Sequence, residues 1–325
     1  MADGLLSLRE HSKLKLRRQG SLERLEALRA EISAARPFQG VDISVFCAGS
    51  MARLEMGSRS DVDFFLICEN KAAISRIGEL EIFASLIAAN RSLGYPEFSN
   101  DGEFLKIYPV DELVDKTGRP IDDSENFFTV RMLLLLESIC VCNQSLYDDA
   151  VRRVARNYLR DKRGKRGFRP LFLLNDLLRY WRTLCLNYEQ KRTEGSRKWR
   201  TKNLNLKFSR MMTVYSLVLL IAQAKVLSED ALVEMFRKQP LERLAEAHDA
   251  LAAAGFRRGF EQVLDDYEFF LSVKEKDDAE IEGLLSDGGV LRSEVAAAAD
   301  RFSRYFYDAL MHSSIAEDAR RFILV

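Results

Sequence analysis

The chain has 325 residues and a mass of 37.2 kDa, with 47% apolar and 30% charged residues. That length suffices for two domains, each with its own core, and six Pro and 17 Gly exclude long linkers and low-complexity tails. The 49 Lys/Arg balance 49 Asp/Glu, which excludes a general stickiness toward polyanions.

Met1–Glu10 lacks the charged-then-apolar layout of a signal peptide, which predicts a cytoplasmic protein. Residues 5–35 read as one long helix, with Leu8, Leu22, Leu25, Leu28 and Ile32 spaced among Arg, Glu and Lys. Arg36-Pro37 stops it. Asp42–Cys47 alternates apolar and polar residues as a strand does, and Phe64–Cys68 is an apolar run short enough for a buried strand. A helix over about 72–92 ends at Gly94-Tyr95-Pro96, and Glu103–Tyr108 reads as a third strand. Beyond residue 124 the pattern is helical: Phe127–Cys140, Leu146–Leu159, Leu171–Glu189, Leu204–Lys225, Glu229–Lys238, Leu241–Ala254, Phe260–Val273 and Val290–His312. The most apolar stretch, Met211–Ala222, holds Tyr215 and Ser216 and is too short for a membrane span, so a buried helix and no membrane partner are expected.

Strands early and helices late predict an α+β fold, a small mixed sheet with flanking helices followed by an all-helical domain. The divisions fall at 1–36, 37–123 and 124–325, the last boundary marked by Gly118-Arg119-Pro120 and the acidic Asp122-Asp123-Ser124-Glu125. Cys47, Cys68, Cys140, Cys142 and Cys185 have no zinc or disulfide spacing, and reduced, mostly buried thiols are expected. Charge is uneven along the chain: Arg152–Arg210 holds 19 Lys/Arg against Asp161, Asp176, Glu189 and Glu194. Lys162–Arg169 and Gly195–Thr201 read as basic loops within it. A basic middle in a neutral chain predicts a local phosphate-attracting field.

Residues 49–65, Gly-Ser-Met-Ala-Arg-Leu-Glu-Met-Gly-Ser-Arg-Ser-Asp-Val-Asp-Phe-Phe, carry the most chemistry. Gly49-Ser50 falls at a strand-to-helix turn, and Asp61-x-Asp63 opens the next strand. Positions i and i+2 of a strand share a face, so two carboxylates project together. They repel unless a divalent cation lies between them, and hard oxygen ligands select Mg²⁺ or Mn²⁺. Gly49 lets backbone approach a phosphate, Ser50 supplies a hydroxyl, and a helix starting there aims N–H groups at anions. Arg53, one turn in, reaches a phosphate or pairs with Glu55 or Asp61.

This constellation resembles the nucleotidyltransferase superfamily of DNA polymerase β, whose signature is Gly-Ser, about ten residues, then Asp-x-Asp on a strand–helix–strand unit. Ser60 before the acids, the apolar residues after them, and Arg53 also match the family form. The resemblance implies a nucleotidyltransferase-type mixed sheet and transfer of a nucleoside monophosphate from an NTP to an acceptor hydroxyl, with pyrophosphate released. It also implies a third carboxylate from a later strand, for which Glu103 leads because it shares a strand face with Leu105 and Ile107; Asp101 and Asp111 are its rivals. The expected metal ligands are therefore Asp61, Asp63 and Glu103.

The segment Lys198-Trp199-Arg200-Thr201-Lys202, continuing to Leu206-Lys207-Phe208-Ser209-Arg210, mixes cations with aromatics. It is similar to the helical region that follows the catalytic domain in bacterial regulatory uridylyl- and adenylyltransferases, without the Gly-Gly pair of their Lys-Leu-x-x-Gly-Gly turn. The likeness implies that Lys202 and Lys207 hold triphosphate, that Trp199 stacks on a base, and that the acceptor is a protein side chain. Second-messenger synthesis, nucleotide addition to RNA, and a silent nucleotide-binding regulator are the alternatives. Arg243 and His248 have the spacing of a helical RNase motif, a spacing that also recurs by chance.

Overall fold

The computed structural model describes residues 4, 8, 11–39, 41–98, 102, 105–162, 165, 168–194, 198–224 and 227–324. The fold is α+β, and the chain divides into two compact units. One, the sheet unit, comprises Leu16–Asp161 with Glu229–Gln239; the other, the helical unit, comprises Met1–Lys15, Lys162–Ser228 and Pro240–Val325.

In the sheet unit, α1 (Ser12–Ala34, from Leu16 on) precedes β1 (Ile43–Ala48), the single-turn α2 (Gly49–Ala52), β2 (Asp63–Cys68) and α3 (Arg76–Ser92). Then come β3 (Ile107–Pro109), α4 (Val110–Asp115), α5 (Pro120–Ser124), α6 (Phe127–Leu136), β4 (Ser138–Cys142) and α7 (Gln144–Tyr158). The strand order is β3-β2-β1-β4, with β1 antiparallel to both neighbours and β2 parallel to β3. Alternation in Asp42–Cys47 predicts a strand, and all six residues of β1 (Ile43–Ala48) are buried. The polar Ser44 is satisfied internally, its Oγ donating to the Cys142 carbonyl at 2.9 Å, so both faces are covered.

One face packs on α1 through Leu25, Leu28 and Ile32, and on α3 through Ile82 and Leu86. The spacing of the three α1 residues gives a single apolar stripe. On the other face Phe46 stacks on Phe65 at 5.5 Å and meets Tyr147 of α7 at 6.1 Å. Both sheet edges are closed. Short β3 ends in Pro109, and the guanidinium of Arg29 on α1 donates twice to the Cys140 carbonyl of β4, at 2.7 and 3.1 Å.

The sequence pattern runs one helix from Phe127 through Cys140, whereas α6 ends at Leu136 and β4 opens at Ser138. Fully apolar stretches carry no period that separates a buried helix from a buried strand; pairing with β1 decides the outcome. The acidic run read as a domain boundary is not an exposed linker throughout. Asp122 is buried and accepts both forks of Arg131, at 2.8 and 2.6 Å. Arg131 also donates to the Tyr158 hydroxyl and the Leu113 carbonyl. Its partners raise the guanidinium pKa against the opposing effect of burial. Helix α10 (Glu229–Arg237), expected in the all-helical domain, packs on α7 in the sheet unit.

The helical unit is built from α8 (Leu171–Thr193), α9 (Trp199–Gln223), α11 (Pro240–Ala253), α12 (Phe260–Val273), α13 (Asp278–Leu285), α14 (Arg292–Met311) and α15 (Glu317–Leu324). Helix α9 is long and apolar enough to cross a membrane by length and composition. From Met212 to Ala222, however, it is buried except at Tyr215, against α11 and neighbours. Its Phe208 stacks on Phe270 at 5.1 Å and meets Phe302 at 5.2 Å. Arg243 and His248 both lie buried on α11; His248 stacks on Phe260 at 4.5 Å, and its Nδ1 lies 2.8 Å from the Tyr305 hydroxyl. These contacts make His248 a packing residue.

Removing one partner of the Arg131–Asp122 pair leaves a buried charge uncompensated. Arg131→Leu or Asp122→Ala is expected to lower the stability of the sheet unit by about 3–5 kcal/mol. The double replacement Arg131→Met/Asp122→Leu is expected to recover most of that loss, read from urea unfolding midpoints. A single variant as stable as the parent would show the pair to be dispensable.

Candidate functional site

The site forms where β1 leaves the sheet. Ala48, its last residue, is paired with Asp63 on one side and Ser138 on the other. The chain then turns at Gly49, whose φ of +68° is one that side chains rarely adopt. Space is tight there as well: a Cβ on Gly49 would lie 3.1 Å from the Asp63 carboxylate. The antiparallel register therefore sets the Gly-Ser turn directly against the second acid of Asp-x-Asp. β2 starts at Asp63, so Asp61 and Val62 precede the strand, with Val62 buried and both acids half-buried. Beneath them Cys47 is enclosed, and burial, then the Asp63 carboxylate, pushes its thiol pKa up. A thiol so held is not an anionic ligand or nucleophile at neutral pH.

Helix α2 has only four residues, so it does not provide the macrodipole expected at the turn. It ends in a reversal in which Leu54 N–H donates to Met51 O at 3.1 Å and Glu55 N–H to Ser50 O at 2.9 Å. This double bond pattern normally has glycine at its left-handed position; here buried Leu54 holds φ +57°. The chain's return is clamped by one face of α1. Arg17 donates to the Glu55 carbonyl at 3.0 Å, Met56 N–H donates to Ser21 Oγ at 2.9 Å, and Arg24 donates to the Gly57 carbonyl at 2.7 Å. Spacing i, i+4, i+7 puts these three side chains on one stripe.

Arg53 lies between two buried carboxylates. Its Nε donates to Glu55 at 2.8 Å and its Nη1 to Glu137. The guanidinium expected at a phosphate is thus engaged by the protein, in the ion pair foreseen with Glu55 and in a second one with Glu137. Sequence reading missed Glu137. Its signal was a lone acid closing an apolar run, concealed because the run was taken as one helix. Glu55 and Glu137 thus share one guanidinium beside the turn.

The expected third carboxylate, Glu103, and its rival Asp101 lie outside the described residues. Asp111 is engaged by Arg153, which also binds Glu69 at 2.7 Å and Asp149 at 3.3 Å. Among the described residues no three acids, histidines or cysteines gather at metal-ligand spacing.

Lys202 and Lys207 belong to the helical unit, on α9, and the other described candidates to the sheet unit. Much of the basic middle is neutralised by acids from elsewhere in the sequence. Arg152 meets Asp230 at 2.8 Å, Arg156 meets Glu229 at 3.0 Å, Lys198 meets Asp278 at 2.9 Å and Arg200 meets Glu282 at 2.7 Å. Arg169 is buried over the C-terminus of α9, donating to the carbonyls of Ile221, Ala222 and Ala224. The side-chain amines of Lys202 and Lys207 make no hydrogen bond or ion pair among the described residues. Burial, then Lys191 and Lys198, holds the Lys202 amine below its ordinary range. Trp199 meets Tyr188, and the Arg200 guanidinium lies over its ring at 4.4 Å.

No family model matches the chain, and no curated protein or solved structure is significantly similar to it.

Gly49→Ala is expected to destabilise the sheet unit by roughly 1–2 kcal/mol from backbone strain, with a further loss from crowding Asp63. Gly94 has the same φ of +68° but open space around its Cα. Gly94→Ala therefore reports the backbone term alone. Equal losses in the two variants, compared by thermal melting, would mean that the Asp63 contact carries no energy.

Proposed function

We propose that the chain is a divalent-metal-dependent nucleotidyltransferase of the polymerase β type, with its chemistry in the sheet unit. The observation that carries this reading is the approach of Gly49 to the Asp63 carboxylate, because the reaction needs a phosphate-sized turn beside a metal-sized acid pair. The donor set fits a hard cation: Asp61 and Asp63 offer oxygen only, and both are partly open to solvent. Asp61 and Asp63 would hold Mg²⁺ or Mn²⁺, with Glu103 as the proposed third ligand. When bound, the cation lowers the pKa of the attacking hydroxyl and neutralises charge on the triphosphate.

The chain's own residues supply positioning. Gly49 lets the backbone of the turn approach a phosphate, and half-exposed Ser50 donates its hydroxyl to it. Arg53 holds the turn from beneath through Glu55 and Glu137, while Arg17, Ser21 and Arg24 hold the segment leading to Asp61. A protein side-chain hydroxyl is the proposed acceptor rather than RNA. The pairing of Arg152, Arg156, Arg169 and Arg200 within the chain leaves fewer cations for a phosphate track.

The test is incubation with each NTP, Mg²⁺ or Mn²⁺ and cell lysate, followed by mass spectrometry for nucleotidylated protein and an assay for pyrophosphate. Asp61→Asn and Asp63→Asn are each expected to reduce transfer about a thousandfold, roughly 4 kcal/mol of barrier, with the fold retained. NTP should stabilise the fold only with divalent cation, by about 2.7 kcal/mol at a hundredfold excess over Kd, read as a rise in melting temperature. Pyrophosphate release separates an enzyme from a nucleotide-binding regulator. Near-normal turnover in both variants would overturn the assignment.

A further inference from the structure

Helix α3 is apolar on two opposite faces. One covers the sheet, with Ile82, Leu86 and Ala89 buried in the core of the sheet unit. Ile77, Leu80, Ala84, Ile87 and Ala88 fall on the other side of the helix. Ile77 is 71% exposed and Leu80 50%; Ala84 and Ala88 are exposed as well, and Ile87 is half-buried. A helix that only covers a sheet turns a polar face to water. Here Ile77, Leu80, Ala84 and Ile87 instead follow the alternating three- and four-residue spacing of a helix-pairing seam.

Charge on this face is sparse and placed at its ends. Glu81 borders the stripe toward the N-terminus and Arg91 closes it toward the C-terminus, both exposed. Neither side chain makes a hydrogen bond or ion pair among the described residues. The remaining charges of α3 are used locally: Arg76 pairs with Glu79, which also binds Lys71.

This layout is complementary to itself. Two copies of α3 running antiparallel about a two-fold axis at Ala84 set Ile77 and Leu80 of one over Ile87 and Ala88 of the other. The small Ala84 side chain at the axis lets the helices approach to the roughly 8–10 Å of packed pairs. The same operation carries each Arg91 toward the Glu81 of the other copy. A stripe bordered by one sign of charge would repel its own copy. The whole chain, with 49 Lys/Arg and 49 Asp/Glu, adds no net repulsion.

We propose that the outward face of α3 is a self-association surface, on which two copies of the chain pair antiparallel along the stripe from Ile77 to Ala88, with Glu81 and Arg91 as reciprocal end contacts. It is independent of the chemistry proposed for Asp61 and Asp63. One helix pair buries less than the roughly 1,200–2,000 Å² of stable interfaces, so the dimer is weak and concentration-dependent.

The experiment is analytical ultracentrifugation of the full chain from about 1 to 500 μM, where a monomer–dimer equilibrium with Kd on the order of 10–100 μM is expected. Leu80→Asp changes an exposed position outside the core, with folding checked by circular dichroism and melting, and should weaken the dimer at least about tenfold. Glu81→Arg and Arg91→Glu should each weaken it about fivefold, and the double exchange Glu81→Arg/Arg91→Glu should return it to within about twofold of the parent. Leu186→Asp is the control. Leu186 on α8 is 70% exposed but stands among exposed Arg182, Glu189 and Gln190, so its replacement should leave Kd unchanged. A monomer at every concentration would overturn the proposal and leave the face to a different chain. So would a dimer indifferent to Leu80→Asp, a charge exchange that recovers nothing, or equal weakening by Leu186→Asp.

Discussion

The candidate site follows from the position of β1 between two antiparallel partners with both faces covered. A strand so enclosed has its backbone satisfied on either edge and its side chains packed above and below, so register is tightly specified. Its last pair sets Ala48 against Asp63, and the chain must leave the sheet beside a carboxylate. Only a residue without a side chain, in the left-handed region, fits there. The rest of the turn follows from that exit: one helical turn, a reversal at Leu54, and a return laid along α1 by Arg17, Ser21 and Arg24. The loop between the two halves of the motif is therefore held at both ends by hydrogen bonds, and the acid pair inherits the order of the sheet.

The two units manage charge in contrasting ways. In the sheet unit one guanidinium, that of Arg53, joins two buried carboxylates beside the turn. In the helical unit many of the cations are answered by acids from α13 and by short-range partners at the end of α8. Buried or half-buried groups of one sign are tolerated where a counter-ion is supplied from outside the chain.

Much of the fold and the centre of the site were legible from local chemistry. Gly49, Ser50, Asp61 and Asp63 stood out because a strand, a turn and a second strand each left a short-range signature, and β1 and β2 lie within a residue of their expected ends. What remained hidden was tertiary. Alternation cannot report that the polar Ser44 is satisfied from β4. Glu137 vanished into an apolar run because buried helix and buried strand share composition. The charge of residues 152–210 was overestimated as a surface field because Glu229, Asp230, Asp278 and Glu282 arrive from far along the chain. Asp122 looked like part of a solvated boundary because its partner Arg131 becomes a neighbour only once α5 and α6 pack.

The closed edges of the sheet have a consequence for how this protein meets other chains. A β-sheet with a free flank is a template: any extended segment, including one from a second copy, can hydrogen-bond to it without regard to sequence. Here Pro109 withholds a donor at one flank, and Arg29 occupies the Cys140 carbonyl at the other. Strand addition is thereby disfavoured at both flanks. A partner chain would have to be recognised by its side chains and surface shape rather than by any extended peptide pairing with an open ladder.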